Sequence, residues 1–243
     1  MVFSLSKEQF SRNQLKWIAM VTMVLDHVGC IFVPVKTMPV CYYLLRGIGR
    51  VSFPLICFLL VQGFFYTHSR RKYLFRLWCF ALVSEIPYDL AFFGRVWNPW
   101  NQNVFVTLAI GLMMLLGLFR TKEYVGKGWR IPISCGIVGA AMVAAVLCRS
   151  DYSFWGVLMI LAFYVGQYDW RLLIYSILLL CVGQGWLEAF GAVALFFVRY
   201  YAADRDAGRT RLPRSFFYWF YPDRKSTRLN SSHPTTSRMP SSA

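Results

Sequence analysis

Long apolar runs separated by short polar segments dominate the chain from residue 15 onward. A helix needs about 20 apolar residues to cross the hydrocarbon core of a bilayer. Eight runs reach or approach that length, at 15–33, 49–66, 73–93, 103–119, 131–148, 152–168, 171–185 and 187–201. A ninth apolar segment starts at 215–221 and stops abruptly. The pattern predicts an all-α, polytopic membrane helix bundle of about eight spans with a truncated ninth.

The composition excludes an ordinary soluble domain. Hydrophobic residues make up 57% of the chain and aromatic residues 18%, whereas charged residues make up only 15%. A soluble domain would carry about 25% charged residues. A water-soluble globule of 243 residues could not bury this much apolar surface. The lipid bilayer is therefore the first expected partner.

The two ends of the chain differ from this apolar body. Residues 1–14 are expected to form a short cytoplasmic segment, and residues 15–222 a single transmembrane domain. The first apolar run lacks a small-residue cleavage site after it, so we expect it to remain as an anchor. Residues 223–243 are rich in serine, threonine and proline with no apolar period, which predicts a disordered tail of non-native character.

Basic residues alternate in density between the spans. They cluster before the first span, at 70–76, at 120–130 and at 199–214, whereas the intervening loops hold few. By the positive-inside rule the basic side is cytoplasmic, which puts the loops at 34–48, 94–102, 149–151 and near 186 outside. This topology accounts for most of the net charge of +15, so we expect no nucleic acid partner. The predicted orientation has a cytoplasmic amino terminus.

The cysteines give no sign of a metal or redox centre. The chain has seven, most of them inside apolar runs, with no CxxC pair or other metal-ligand spacing. We expect them to act as small buried hydrophobic residues, and we expect no metal site.

Ionisable and polar side chains recur at one depth in several predicted spans. Such groups within a bilayer cost several kcal/mol and are usually kept for a function. Under the predicted topology they lie in the outward half of the bundle: Asp26 and His27 in the first span, Arg46 and Arg50 at the second, Glu85 in the third, Asn101 and Asn103 at the fourth, and Asp151 and Tyr152 at the sixth. Their convergence predicts a buried site.

The chemistry of this predicted site centres on His27, because histidine is the side chain that changes protonation near neutral pH. Asp26 cannot orient His27 directly, since consecutive helical residues point about 100° apart. We instead expect Asp26 to pair with Arg46 or Arg50. The partner of His27 stays open between Glu85 and a backbone carbonyl. The same residues could also form an ion pair and an inter-helix hydrogen bond that only fix packing.

Several strings resemble one known family. They are residues 15–29 (LKWIAMVTMVLDHVG), 45–55 (LRGIGRVSFPL), 58–64 (FLLVQGF), 67–73 (THSRRKY), 85–91 (EIPYDLA), 101–104 (NQNV) and 151–152 (DY). Together they resemble the TraX family of conjugal-transfer proteins, over roughly residues 12–222 and most specifically through residue 110. The resemblance implies a polytopic inner-membrane protein related to the acyltransferase-3 superfamily, in a family whose conjugative-plasmid member acetylates the amino terminus of pilin.

The resemblance also implies roles for the polar residues. A membrane acetyltransferase would take its acetyl group from acetyl-coenzyme A and pass it to a pilin-like protein or a cell-surface glycan. His27 would be the general base or transient acyl carrier, while Arg46 and Arg50 would hold the thioester carbonyl or an anionic part of a ligand. Asp26 and Glu85 would set protonation and orientation. The remaining candidates for substrate binding are Asn101, Asn103, Asp151 and Tyr152.

Two other classes of function fit the same pattern. In a non-catalytic carrier or assembly subunit of a conjugation or polysaccharide export pathway, the polar cluster would line a path. In a purely structural membrane subunit, the cluster would only stabilise the fold.

Overall fold

The computed structural model describes residues 10–96, 98 and 100–202. Their helices are α1 Arg12–Phe32, α2 Pro39–Gly49, α3 Ser52–Tyr66, α4 Arg70–Phe93, α5 Val104–Tyr124, α6 Lys127–Leu147, α7 Ser153–Gly166, α8 Trp170–Gln184, a 3-10 helix Glu188–Val193 and α9 Ala194–Arg199. Two short strands, β1 Phe10–Ser11 and β2 Tyr201–Ala202, pair in parallel. The predicted all-α helix bundle is confirmed.

Local sequence signals explain where several helices begin and end. Ser11 and Gln14 form a capping box at the start of α1. The side chains of Asn103 and Asp169 accept hydrogen bonds from backbone N–H groups at the starts of α5 and α8. Gly94 ends α4 in the left-handed conformation, at φ 63°, where a side chain would be strained.

The core is built around α3, α5 and α7. Phe58, Leu60, Leu115 and Phe163 are almost completely buried, and the three helices contact one another. Helix α1 packs on α2 and α3, while α4 and α6 pack on α5. The candidate site lies at one end of this bundle. That end includes the carboxyl-terminal parts of α1 and α2, the α4–α5 and α6–α7 connections and the start of the 3-10 helix. We call it the site end.

Large apolar side chains cover much of the surface. They are prominent on α4, α6 and α8, for example Phe75, Ile131, Leu147 and Leu179. A water-soluble monomer rarely exposes apolar area on this scale. Four segments are long and apolar enough to cross a membrane, namely α1, α2 together with α3, α5 and α6, while α7 and α8 are shorter apolar helices. The chain is therefore a membrane protein.

Two predicted segments, one loop and one span, differ from the structure. The loop predicted at 34–48 contains α2, which starts at a proline. Its 11 residues are too few for a membrane span, so the pattern of long apolar runs does not predict it. The predicted span 187–201 consists of the 3-10 helix and the six-residue α9, each too short to cross a bilayer alone. The predicted ninth span at 215–221, the tail 223–243 and most of the amino-terminal segment lie outside the described residues.

Candidate functional site

Close packing of α1 against α2 brings the first charged groups together. A Cβ built at Gly29 would come within 2.9 Å of Leu45, and one built at Gly49 would overlap the side chain of Asp26. Glycine at both positions lets the helix backbones approach closely. Asp26 therefore faces α2 and the start of α3.

The carboxylate of Asp26 binds both arginines. Arg46 Nη1 donates to Asp26 Oδ2 at 2.7 Å. Arg50 Nη2 donates to Oδ1 at 2.8 Å and to Oδ2 at 3.1 Å. The predicted pairing of Asp26 with an arginine is confirmed, and it includes both candidates.

A second carboxylate, which the sequence reasoning missed, completes the charge balance. Arg50 Nη1 donates to Glu188 Oε1 at 2.8 Å. Glu188 begins the 3-10 helix, inside the segment 187–201 that the apolar pattern predicts to be a span. A carboxylate at that place was the available signal, because ionisable groups within apolar runs are costly. We call Asp26, Arg46, Arg50 and Glu188 the Asp26 network.

The Asp26 network has no net formal charge, but two of its N–H donors have no hydrogen-bond acceptor. Its two guanidinium groups balance its two carboxylates, and Arg50 is only 8% exposed. The Nε–H groups of Arg46 and Arg50 are buried and have no hydrogen-bond partner within the described residues. Two cationic donors thus stay available in a desolvated place, where they interact more strongly with negative charge than in water.

His27 follows Asp26 on α1, and its own helix sets its tautomer. Its Nδ1 lies 2.8 Å from the carbonyl oxygen of Met23. A carbonyl can only accept, so Nδ1 carries the hydrogen and Nε2 of the neutral ring keeps a lone pair. The ring packs edge-on against Phe92 of α4, with centroids 5.3 Å apart. Of the two partners left open for His27, the structure selects a backbone carbonyl.

Glu85 sits in a separate buried cluster on α4. It is 3% exposed, and its Oε2 accepts hydrogen bonds from the backbone N–H and the side-chain amide of Asn103. The Asn103 amide also donates to the carbonyl of Ala81 at 2.8 Å. Asn103 thus ties α4 to the start of α5. Asn101, by contrast, is exposed on the connection between those helices.

Asp151 and Tyr152 cover the site end from the α6–α7 connection. Residues Arg149 and Ser153, on either side of them, have positive φ angles of 49° and 46°, a strained conformation common near functional sites. The ring of Tyr152 stacks on Phe53 at 3.5 Å. Surrounding atoms desolvate the Asp151 carboxyl and raise its pKa, while the nearby Arg50 and His27 act in the opposite direction.

A further buried carboxylate, Asp89, also escaped the sequence reasoning as a site residue. It is 0% exposed, and its Oδ2 accepts from the backbone N–H of Asn98 at 2.6 Å. Its position four residues after Glu85 puts both on one face of α4, and that spacing was the signal available in the sequence.

Comparison with known proteins identifies the family. The family described as TraX protein matches residues 11–224. The chain belongs to the TraX family. The predicted family resemblance is thereby confirmed, and every site residue described above lies inside the matched region.

A curated relative of this TraX family member comes from Dichelobacter nodosus. It is described as a probable fimbrial assembly protein, FimC of serogroup H1, and is 32% identical over 160 residues. The match covers 61% of this chain and 58% of the relative, so the chain spans less than two thirds of that protein. No solved structure matches the chain.

The site of this TraX family member is organised in two polar clusters. Within the residues that the structure describes, no group of three or more His, Cys, Asp or Glu side chains could hold a metal ion. The clusters lie close together, since His27 packs on Phe92 and Phe92 packs on Tyr88, with ring centroids 5.0 Å apart. Tyr88 in turn interacts electrostatically with Asp151, Glu85 and Asp89. The arrangement offers a base, two cationic donors and two buried carboxylates at one end of the bundle.

Proposed function

We propose that this TraX family member is a membrane acetyltransferase that moves an acetyl group from acetyl-coenzyme A to an extracytoplasmic acceptor, such as a pilin amino terminus or a cell-surface glycan. The observation that carries the proposal is the pair of buried, unpartnered Nε–H groups of Arg46 and Arg50, at the same end of the bundle as His27. Acyl transfer creates a negative charge on the former carbonyl oxygen, and preorganised donors in a dry site stabilise it strongly.

His27 would act through Nε2 in this reaction. As a general base it would accept the proton of the acceptor nucleophile while that nucleophile attacks the thioester carbonyl carbon. The carbon–sulfur bond then breaks, and the proton passes to the sulfur, giving the acetylated acceptor and the free thiol of coenzyme A. As a transient acyl carrier, Nε2 would instead attack the carbonyl carbon itself, and the carbon–sulfur bond would break to release the thiolate of coenzyme A. The acceptor nucleophile would then attack the acetyl-imidazole, the carbon–nitrogen bond would break, and the proton lost by the acceptor would leave with the thiolate as the free thiol.

In this proposal, Asp26 and Glu188 would fix the orientation of the two arginine side chains. Each carboxylate holds an Nη group, so the guanidinium planes have little freedom to rotate. Fixed orientation lowers the reorganisation needed when charge develops on the substrate. Asp151, whose charge acts on Arg50, His27 and Arg46 together, would lie where the acceptor enters.

The proposed orientation places the amino terminus in the cytoplasm of a cell with an inner membrane. Arg12, Arg70 and Arg199 lie at the end opposite the site and stack on aromatic rings there. Basic groups of this kind favour the cytoplasmic side. Acetyl-coenzyme A is made in the cytoplasm, so its pantetheine arm or the acetyl group would have to reach the site end through the bundle.

A second candidate is a non-catalytic assembly or carrier subunit. It is favoured by the Dichelobacter nodosus relative, which is described as a probable fimbrial assembly protein, and by the charge neutrality of the Asp26 network, which suits a structural role.

Binding of acetyl-coenzyme A tests the leading proposal. A ligand at 100 times its Kd raises the free energy of unfolding by about 2.7 kcal/mol, so acetyl-coenzyme A should raise the Tm of the purified protein in detergent. Arg46→Gln should weaken this stabilisation, because it removes one of the two free Nε–H donors.

The matched control is Arg95→Gln, which makes the same change at an exposed position beyond the end of α4. It should leave the stabilisation intact. If folded wild-type protein gains no stability from acetyl-coenzyme A, the acetyltransferase proposal fails and the assembly or carrier class is favoured.

A further inference from the structure

Tyr152 brings a phenol hydroxyl to the Asp26 network. The tyrosine interacts electrostatically with Arg50, Glu188 and Asp26, and it is among the groups that act on Arg50. The hydroxyl is the polar, titratable part of a tyrosine, so this atom is the one that lies near the guanidinium group of Arg50. A side chain from the α6–α7 connection thus joins the charged groups of α1, α2 and the 3-10 helix.

A tight aromatic stack fixes the ring of Tyr152. It lies parallel to Phe53, with an angle of 1° between the planes and 3.5 Å between the centroids. Arg50 and Val51 keep helical backbone angles, so Phe53 lies on the same face of the chain as Arg50, three residues earlier. A Cβ built at Gly156 would come within 3.0 Å of Phe53 and 2.9 Å of Tyr152. Glycine at this place leaves room for the stack.

The hydroxyl of Tyr152 is free to donate to a ligand. In the part of the chain that the structure describes, it has no hydrogen-bond partner, and the residue keeps part of its surface accessible. A phenol with a pKa near 10 stays protonated at neutral pH. The hydroxyl is therefore a third donor, in addition to the Nε–H groups of Arg46 and Arg50.

Each of the three donors is held in place by a second contact. Carboxylates bind the Nη groups of the two arginines, and Phe53 holds the ring of Tyr152. Donors that are already oriented stabilise a developing negative charge without the cost of reorganisation. This group of donors is suited to the oxyanion that acyl transfer creates.

We propose that Tyr152 is a catalytic residue of acyl transfer, whose Oη–H group donates a hydrogen bond to the thioester carbonyl oxygen as that oxygen becomes negative. The inference rests on the proposed acetyltransferase function. No covalent bond to Tyr152 forms or breaks, and the hydroxyl keeps its proton while the carbon–sulfur bond breaks and the carbonyl forms again on the acetylated product.

Initial rates of radiolabelled acetyl transfer, measured against the concentration of acetyl-coenzyme A in membranes that contain the protein, test this role. Tyr152→Phe removes the hydroxyl and keeps the ring on Phe53. Loss of one oxyanion donor should lower kcat by about 10²-fold. The KM for acetyl-coenzyme A and the rise in Tm that this ligand causes should stay as in wild type, because the hydrogen bond strengthens only in the transition state.

The matched control is Tyr175→Phe, which removes the same hydroxyl at a position of α8 that is 71% exposed. This variant should keep both the wild-type kcat and the wild-type KM.

The role of Tyr152 is overturned if the folded variant keeps the wild-type kcat. It is also overturned if Tyr152→Phe does not fold, or if it loses stability and donor binding together, because the hydroxyl would then hold the structure instead of acting on the substrate. Wild-type membranes that transfer no label would contradict the acetyltransferase function itself, and the role of Tyr152 with it. The activity of wild type therefore separates the two failures.

Discussion

At the scale of single residues, Asp26 is the central group of the site. Its carboxylate contacts two guanidinium groups at once, and its side chain is 16% exposed. Arg46 and Arg50 are themselves largely buried, at 19% and 8% exposure. Loss of the Asp26 charge would leave the two cations with only one carboxylate, Glu188, in direct contact with them.

Asp26→Asn should therefore destabilise the protein. Breaking a buried pair costs about 3–5 kcal/mol, and the partial exposure of Asp26 and Arg46 lowers this expectation to about 2 kcal/mol. Unfolding by heat or denaturant in detergent measures the change. Glu188→Gln, which touches one arginine, should cost less than Asp26→Asn; an equal or larger cost would contradict the central position of Asp26.

The sequence allowed the Asp26 pairing to be predicted, but not Glu188 or the role of Asp89. Opposite charges at one membrane depth must find each other, so Asp26 and the arginines follow from the apolar pattern alone. Glu188 depends on where the chain returns after α8, which a 3-10 helix decides. Asp89 becomes notable only when the structure shows that it is fully buried.

At the scale of helices, the approach of α1 to α2 makes the site possible. Gly49 gives Asp26 the space to reach the arginines. Helices α1 and α3–α8 could be predicted from the sequence because each contains a long apolar run. Helix α2 could not be predicted in this way, because its 11 residues are too few for a span and fit the length of a connecting loop.

Gly49→Ala should separate α1 from α2, because the added methyl group would overlap Asp26. Overpacking of this kind costs about 1–3 kcal/mol, and the Tm should fall accordingly. Gly136→Ala provides the control: a Cβ there meets nothing within 4 Å, and alanine is the better helix former. A Tm of Gly49→Ala equal to that of Gly136→Ala would contradict the close packing.

At the scale of the whole molecule, orientation in the membrane decides which side of the bilayer the site end faces. The site end is expected to face outward, and the α3–α4 turn inward. Thr37 and His68 are exposed at these two ends. In a cysteine-free background, a membrane-impermeant maleimide added to intact spheroplasts should label Thr37→Cys, and should label His68→Cys only after the membrane is permeabilised. The reverse pattern would invert the proposed topology.

The most direct measurement of the central claim is transfer of radiolabelled acetyl groups from acetyl-coenzyme A in membranes that contain the protein. Wild-type protein should label a protein or glycan acceptor, and His27→Ala at matched levels of folded protein should lower the initial rate by about 10²-fold or more, the usual contribution of a general base. Undiminished transfer by folded His27→Ala would contradict the account of the site.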